Sequence, residues 1–210
     1  MLDALQRALN RRLGTDVLET MIAPGNQSPQ MPVPSAKPAP LKTADELVST
    51  DLQTVYQTWL TLAGDRPAPK RTDLTPQHFR KHLANVFIID VLDGGMDFHF
   101  RLGGENIVRF MGRRYAGSRL SQLRGAPFFE AMHRIFTHCT VARAPVAAGP
   151  ARPTREGREQ MEMEVVVLPL SDDGRNITAL FGAFDLKPLQ ADRYAEPAPG
   201  ATLSATDYQL

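Results

Sequence analysis

Closely spaced histidines are the first residues that could do chemistry in this chain. His78 and His82 are four residues apart in a segment predicted to be a short helix, so both imidazoles would share one face and could bind zinc. A closed zinc site needs about four ligands, and no cysteine pair or third acidic ligand accompanies them. The alternative is a solvated helix face. His133 and His138 are five residues apart, which is off the same-face spacing.

Signals for covalent or phosphate chemistry are weak. Cys139 is the single cysteine, so it cannot form an intrachain disulfide, and we expect an inert or partly buried thiol. The sequence contains no G-x-S-x-G, no P-loop and no G-x-G-x-x-G. Glu159, Glu162 and Glu164 lie near one another, but at strand spacing they are expected to face largely solvent. We therefore predict no catalytic residue, no metal ligand and no enzyme.

Arginines form the strongest electrostatic feature. Arg109, Arg113 and Arg114, followed by Arg119 and Arg124, could pair with an anionic ligand such as a nucleotide second messenger. The alternative is a solvated surface with local salt bridges. The whole chain has 24 Lys and Arg against 23 Asp and Glu, and Tyr115 stands alone, without the regular aromatic interleaving of single-strand binders. We predict no nucleic-acid partner.

Phenylalanines and methionines recur at positions that would face the space between a sheet and its helices. Such a lining is adaptable and suits a small apolar ligand, but it could equally form a sufficient core with no ligand. The inward face of strand 177–186 is undecided, because both Phe181 and Phe184 require burial. The candidate ligand-binding residues are Phe87, Phe98, Phe100, Phe110, Met111, Met132, Phe136, Met163 and Phe181.

The two ends of the chain differ in composition from its middle. In residues 1–22, leucines at helical spacing with arginines on the other side predict an amphipathic helix. Residues 23–42 are rich in Pro, Ser, Gln and Ala and predict an extended linker. Residues 189–210 are small and polar and predict a flexible tail.

The 210-residue length fits one domain with extensions, which we place at residues 44–188. A leading helix over 44–64 would begin behind Thr43, with Glu46 completing a capping box. The pattern as a whole predicts an α+β fold in which helices cover one face of an antiparallel sheet. After the leading helix come an antiparallel hairpin (84–93 and 96–104), a short helix (105–112), a longer helix (125–145) and three β segments (146–151, 159–170 and 177–186).

This order of elements, together with several local sequences, resembles the PAS domain, and in particular the stand-alone bacterial subfamily labelled PAS_5. The resemblance implies a five-stranded antiparallel sheet with short helices over one face. It also implies a cleft between sheet and helices that holds a small ligand or is filled with side chains. The sequences that carry it are Trp59, RPAPKRTDLTP, FIIDV, DFHFRLGGENI, GRRYAGSRLSQL and LPLSDDGRNITALFGAFDL.

The resemblance also bears on cofactors and assembly. A flavin photosensor of this class would need a reactive cysteine in an Asn-Cys-Arg-Phe-Leu context, whereas Cys139 lies in THCTVAR. Haem on a helix histidine occurs in the wider family, with His133 or His138 as candidates here, but we do not expect haem and leave the cofactor unassigned. PAS domains commonly dimerise and signal through flanking helices. On the leading helix this implies a homodimer or signalling surface of Leu52, Val55, Trp59 and Leu62. Whether the leading helix or the predicted helix at the N-terminus mediates dimerisation is left open.

We interpret the chain as a cytoplasmic, non-enzymatic sensory or regulatory protein. It would bind a small ligand in the cleft and signal through its N-terminal helices to a protein partner. The alternative hypothesis is a ligand-free scaffold with a filled cleft. A third hypothesis is a haem or metal protein. No apolar run approaches the ~18–20 residues of a spanning helix, and no secretory signal is evident. The stretch after the last strand is too short for a transmitter, so we expect output through binding.

Overall fold

A six-stranded antiparallel sheet organises the computed structural model, which describes residues 40–124, 128–151 and 161–188. The order of the strands across the sheet is β1-β4-β5-β6-β2-β3. The strands are Leu41–Lys42 (β1), Val86–Leu92 (β2), Asp97–Gly103 (β3), Val146–Ala151 (β4), Met161–Leu170 (β5) and Ala179–Pro188 (β6). The α-helices of the described ranges are Thr50–Ala63 (α1), Glu105–Met111 (α2) and Phe129–Ala142 (α3). The predicted α+β class is confirmed.

The sheet has one strand more than the five that were predicted. Leu41 pairs with Ala148 and Lys42 pairs with Ala147, which adds the two-residue strand β1 at the edge beside β4. The last two residues of the predicted linker 23–42 therefore belong to the sheet. The remainder of that linker, the predicted helix over 1–22 and the predicted tail over 189–210 lie outside the described residues.

Helices cover both faces of the sheet, whereas helices over one face were predicted. Side chains alternate between the two faces of a strand, so on β2 Val86 and Ile88 join the core under α1. Phe87 and Ile89 point the other way and join the core under α2 and α3. Because both faces are buried, the central strands are apolar in both phases rather than amphipathic.

The helix α1 packs across β5 and β6 through one apolar stripe. Leu52, Val55 and Trp59 recur at helical spacing and are at most 3% exposed. The indole Nε1 of Trp59 donates a hydrogen bond to the carbonyl of Pro169 at 3.0 Å, so the polar atom of this buried ring is satisfied. This stripe attaches α1 to the sheet of its own chain.

The leading helix begins later than predicted. The capping pair at Thr43 forms, with its N–H donating to the Glu46 carboxylate at 2.9 Å, but it closes only the 3-10 turn Ala44–Glu46. The chain is extended at Leu47, and Ser49 caps α1 by accepting a hydrogen bond from the backbone N–H of Leu52. The predicted helix 44–64 is thus a short turn followed by α1.

Glu164 on β5 explains this break in the helix. Its carboxylate accepts hydrogen bonds from the backbone N–H groups of Val48 (3.0 Å) and Ser49 (2.7 Å) and pairs with Lys42 Nζ at 2.6 Å. Glu164 is 4% exposed, so its predicted solvent-facing position was wrong. The side chains of even-numbered β5 residues face α1. The Glu164 carboxylate therefore lies next to backbone N–H groups just before the helix, which have no carbonyl partner within it.

The β2–β3 hairpin and the two helices that follow agree with their sequence patterns. The turn Asp93–Gly95 closes the hairpin, and Leu92 pairs with Asp97 directly behind it. The helix α2 ends at Gly112, whose φ of 77° lies in the left-handed region that favours glycine. These local signals are short-range, so tertiary packing did not override them.

Removing the Glu164 charge tests its role in attaching α1. Burial raises the pKa of Glu164, but hydrogen bonds from Lys42, Val48 and Ser49 outweigh burial and hold that pKa below its ordinary value. We expect Glu164→Gln to lower the free energy of unfolding by about 3 kcal/mol near neutral pH, measured by urea denaturation. Glu130→Gln, on the exposed side of α3, is the control and should change it little.

The same carboxylate gives a pH dependence with a defined sign. Because the folded-state pKa is depressed, its stabilisation is present above the ordinary value of 4.5 and is lost as pH falls through the folded pKa. The stability gap between wild type and Glu164→Gln should therefore narrow on acidification. A gap that stays constant with pH, or an equal loss in Glu130→Gln, would contradict this role.

Candidate functional site

The candidate site is the space between the sheet and the helices α2 and α3. Its floor is formed where β2 and β6 meet, and there the ring of Phe87 lies over Gly182. A Cβ added to Gly182 would come within 2.1 Å of that ring. The ring of Phe87 can lie here only because residue 182 is glycine, since any side chain at 182 would displace the ring from the floor.

Aromatic rings fill most of this space. Phe136 of α3 has its ring centroid 5.9 Å from that of Phe87, 5.3 Å from that of Phe98 and 6.4 Å from that of Phe100. Tilted and edge-on contacts of this kind stabilise a core beyond the area that they bury. The four rings bind α3 to strands β2 and β3 at the centre of the cleft.

A cavity of only about 30 Å³ remains between these side chains. Small-molecule sites in proteins are usually clefts of about 300–1,000 Å³, so this space is of the order of one water molecule. Met111, Met132 and Phe184 are among its lining residues, and Arg113 lies at its edge. Among the described residues, side chains of the protein itself occupy most of this cleft.

Eight of the nine predicted ligand-binding residues meet on this side of the sheet. Phe181 does not, because it points to the α1 face, where its ring centroid lies 4.5 Å from that of Phe79. Phe184 has the opposite phase on β6 and lines the cleft instead. The eight residues that the structure brings together are Phe87, Phe98, Phe100, Phe110, Met111, Met132, Phe136 and Met163.

The predicted anion-binding arginines do not converge. Arg113 places its guanidinium 4.8 Å from the centroid of Tyr115 and borders the cavity. Arg109 pairs with Glu105 at 2.8 Å on the exposed side of α2, and Arg114 is exposed. Of these three arginines, Arg113 is the one that borders the cleft.

The histidines and the cysteine have structural surroundings. His133 stacks on Phe129 at 5.7 Å between ring centroids, and with His138 it lines an open groove of about 630 Å³ outside α3. Burial raises the pKa of the Cys139 thiol far above its ordinary value, so the thiol is a poor nucleophile. In the described ranges no three His, Cys, Asp or Glu residues could hold a metal ion together. The expected absence of haem and of a metal ligand stays a prediction.

The predicted dimer surface on the leading helix needs correction. Leu52, Val55 and Trp59 are buried against the sheet, and Leu62 packs against the same core. The periodicity that suggested a contact surface reflects packing within the chain, because the sheet has a second apolar face to cover. A partner would have to meet the opposite side of α1.

Sequence reasoning missed a charged cluster around Asp90. Arg71 Nη2 and Arg101 Nε donate to the Asp90 carboxylate, and His99 Nδ1 lies 3.4 Å from it. Burial raises the pKa of Asp90, but hydrogen bonds from Arg71 and Arg101 outweigh it, and the pKa lies below its ordinary value. Asp90 and His99 are paired across the β2–β3 hairpin. The position of the hairpin turn in the sequence could therefore have predicted that these two side chains are neighbours.

Comparisons with known proteins identify the family of this chain. A search of curated proteins finds no match. Among solved structures, the PAS domain of Bordetella pertussis BvgS is similar at 14% sequence identity and a TM-score of 0.38, over 63% of this chain and 85% of that one. In the described ranges, no helix has the length and apolar character to cross a membrane. The PAS_5 family model, described as a PAS domain, matches residues 48–185, and the chain therefore belongs to the PAS domain family.

Proposed function

We propose that this chain is a regulatory protein that acts through protein–protein contact, as a homodimer joined along the outer side of α1. Its PAS family supports a sensory or regulatory role, since PAS domains are generally sensory rather than catalytic. The observation that carries the proposal is the composition of α1. Its 14 residues include a single charged side chain, Asp51, although charged residues make up 22% of the chain.

We call the exposed side of this helix the outer face of α1. Its threonine hydroxyls are already satisfied: Thr54, Thr58 and Thr61 each donate to the carbonyl four residues earlier, at 2.8–2.9 Å. Covering these groups therefore leaves no donor unpaired and costs little desolvation. The outer face consists of Asp51, Gln53, Thr54, Gln57, Thr58, Leu60 and Thr61.

A second copy of the chain is the partner that this face suits. In a two-fold dimer the same patch meets itself, so a charged patch would repel its own copy. Asp51, in the first turn of α1, is the one charged residue on this side of the helix, and charge depletion is typical of interface centres. It also presents Leu60, which is 37% exposed. A helix of this length gives a contact about 21 Å long.

The connection from this face to the sheet supports a signalling role. Glu164 of β5 binds the N-terminal end of α1 and also Lys42, in the strand that enters from the N-terminal segment. A change in the sheet would reach α1 and the chain before it through that carboxylate. We propose that the output passes to a protein partner by this route. A cytoplasmic location stays a prediction.

Binding of a small apolar ligand in the cleft is the second candidate function. The cavity lies where the predicted ligand-binding residues meet, and the flexible thioethers of Met111 and Met132 line it. A ligand larger than a few atoms would have to move these side chains. The closed cleft favours the scaffold alternative over the ligand-binding one.

Charge introduced on the outer face of α1 should separate the dimer. We expect the wild-type chain to sediment with twice the chain mass of 23.2 kDa, and Leu60→Glu to sediment as a monomer, because the two-fold contact would bring like charges together. Val141→Glu is the matched control, since Val141 is an exposed apolar residue on another helix. It should remain dimeric. A monomeric wild type, or a dimeric Leu60→Glu, would refute the proposed interface.

Enlarging the cleft tests whether it is closed in solution. Met132→Ala should lower the free energy of unfolding by about 2 kcal/mol and leave an apolar cavity. Benzene should then raise the melting temperature of Met132→Ala but not that of wild type. The control is Met96→Ala, at a position 81% exposed, which should behave as wild type does. Stabilisation of the wild-type chain by benzene would instead favour the ligand-binding function.

A further inference from the structure

The Asp90 cluster lies apart from both the cleft and the outer face of α1. Asp90 follows Val86 and Ile88 in the same phase of β2, so its side chain lies on the α1 side of the sheet. Asp90 is 8% exposed, whereas half of the Arg101 side chain is exposed, at 51%. The cluster is therefore a buried carboxylate with guanidinium groups between it and solvent.

Hydrogen-bond donors exceed acceptors in this cluster. Arg71 uses Nη2 for Asp90, while its buried Nε has no hydrogen-bond partner among the described residues. Arg101 bonds Asp90 through Nε, and within the described ranges its two terminal nitrogens make no hydrogen bond. A guanidinium has several N–H groups in one plane and is suited to paired contacts with an oxyanion.

Two permanently charged guanidiniums, of Arg71 and Arg101, face the single carboxylate of Asp90. A second carboxylate, Asp172, accepts a hydrogen bond from the backbone N–H of Arg71 at 3.3 Å. Arg119 forms an antiparallel bridge with His99, which places its side chain on the same side of the strand as His99. The nearby Asp97 is already engaged by the hydroxyl and N–H of Ser121.

We propose that this cluster is a binding site for a small oxyanion, a carboxylate or a phosphate group, held between Arg71 and Arg101. The terminal nitrogens of Arg101 and the unused nitrogens of Arg71 donate to it. Because Arg71 lies in the segment that joins α1 to β2, an anion bound here also fixes that segment. The site does not depend on the function proposed for the cleft or for α1.

Inorganic phosphate is the first probe, with chloride at the same ionic strength as the reference. If the dissociation constant is about 1 mM, then about 20 mM phosphate should raise the folding equilibrium constant of the full chain about 20-fold relative to chloride. Arg101→Gln should abolish most of that increase. Arg109→Gln, which also removes an exposed arginine from an ion pair, should retain it.

Asp90→Asn separates binding from a structural role. This variant keeps the size of the side chain but removes the competing negative charge, so phosphate should bind it more tightly than wild type, by several-fold in a calorimetric titration. Repeating the titration with acetate distinguishes a carboxylate site from a phosphate site, and either one supports the proposal. It is overturned if neither anion exceeds chloride, if Arg101→Gln responds as wild type does, or if Asp90→Asn binds no more tightly.

Discussion

The structure depends on attaching α1 to the second face of the sheet, and the buried carboxylate of Glu164 makes that attachment specific. Apolar contacts of Leu52, Val55 and Trp59 supply the area, but they do not fix where the helix begins. The hydrogen bonds from the backbone N–H groups of Val48 and Ser49 to Glu164 fix where the helix begins. Since each charged hydrogen bond contributes about 1.5–3 kcal/mol, this one side chain sets both the position of α1 and the path of the chain ahead of it.

Covering both faces of the sheet limits where function can lie. The rings of Phe87, Phe98, Phe100 and Phe136 fill the space that a ligand would need, and the apolar stripe of α1 is used within the chain. Among the described residues, two surfaces remain for regulation: the outer face of α1 and the arginines at the end of the β2–β3 hairpin. Both are reached from the sheet through a buried carboxylate, Glu164 in one case and Asp90 in the other.

Local features of the fold could be predicted from the sequence, whereas long-range ones could not. The β2–β3 hairpin and the helix ending at Gly112 follow from turn glycines and alternation, which act between neighbours. Phe181 and Phe184 looked equivalent because both faces of β6 are buried. Glu164 looked solvent-facing for the same reason, although the apolar run that follows it on β5 indicated that its phase is also buried. The Asp90 cluster needs Arg71, which meets it only through the tertiary fold.

Native mass spectrometry of the purified wild-type chain, repeated on the same sample after denaturation, distinguishes regulation through contact between copies from regulation through a ligand in the cleft. If copies are in contact and side chains fill the cleft, we expect twice the chain mass of 23.2 kDa, with no small molecule released on denaturation. A monomer, or a stoichiometric small molecule that leaves when the chain unfolds, would contradict this expectation.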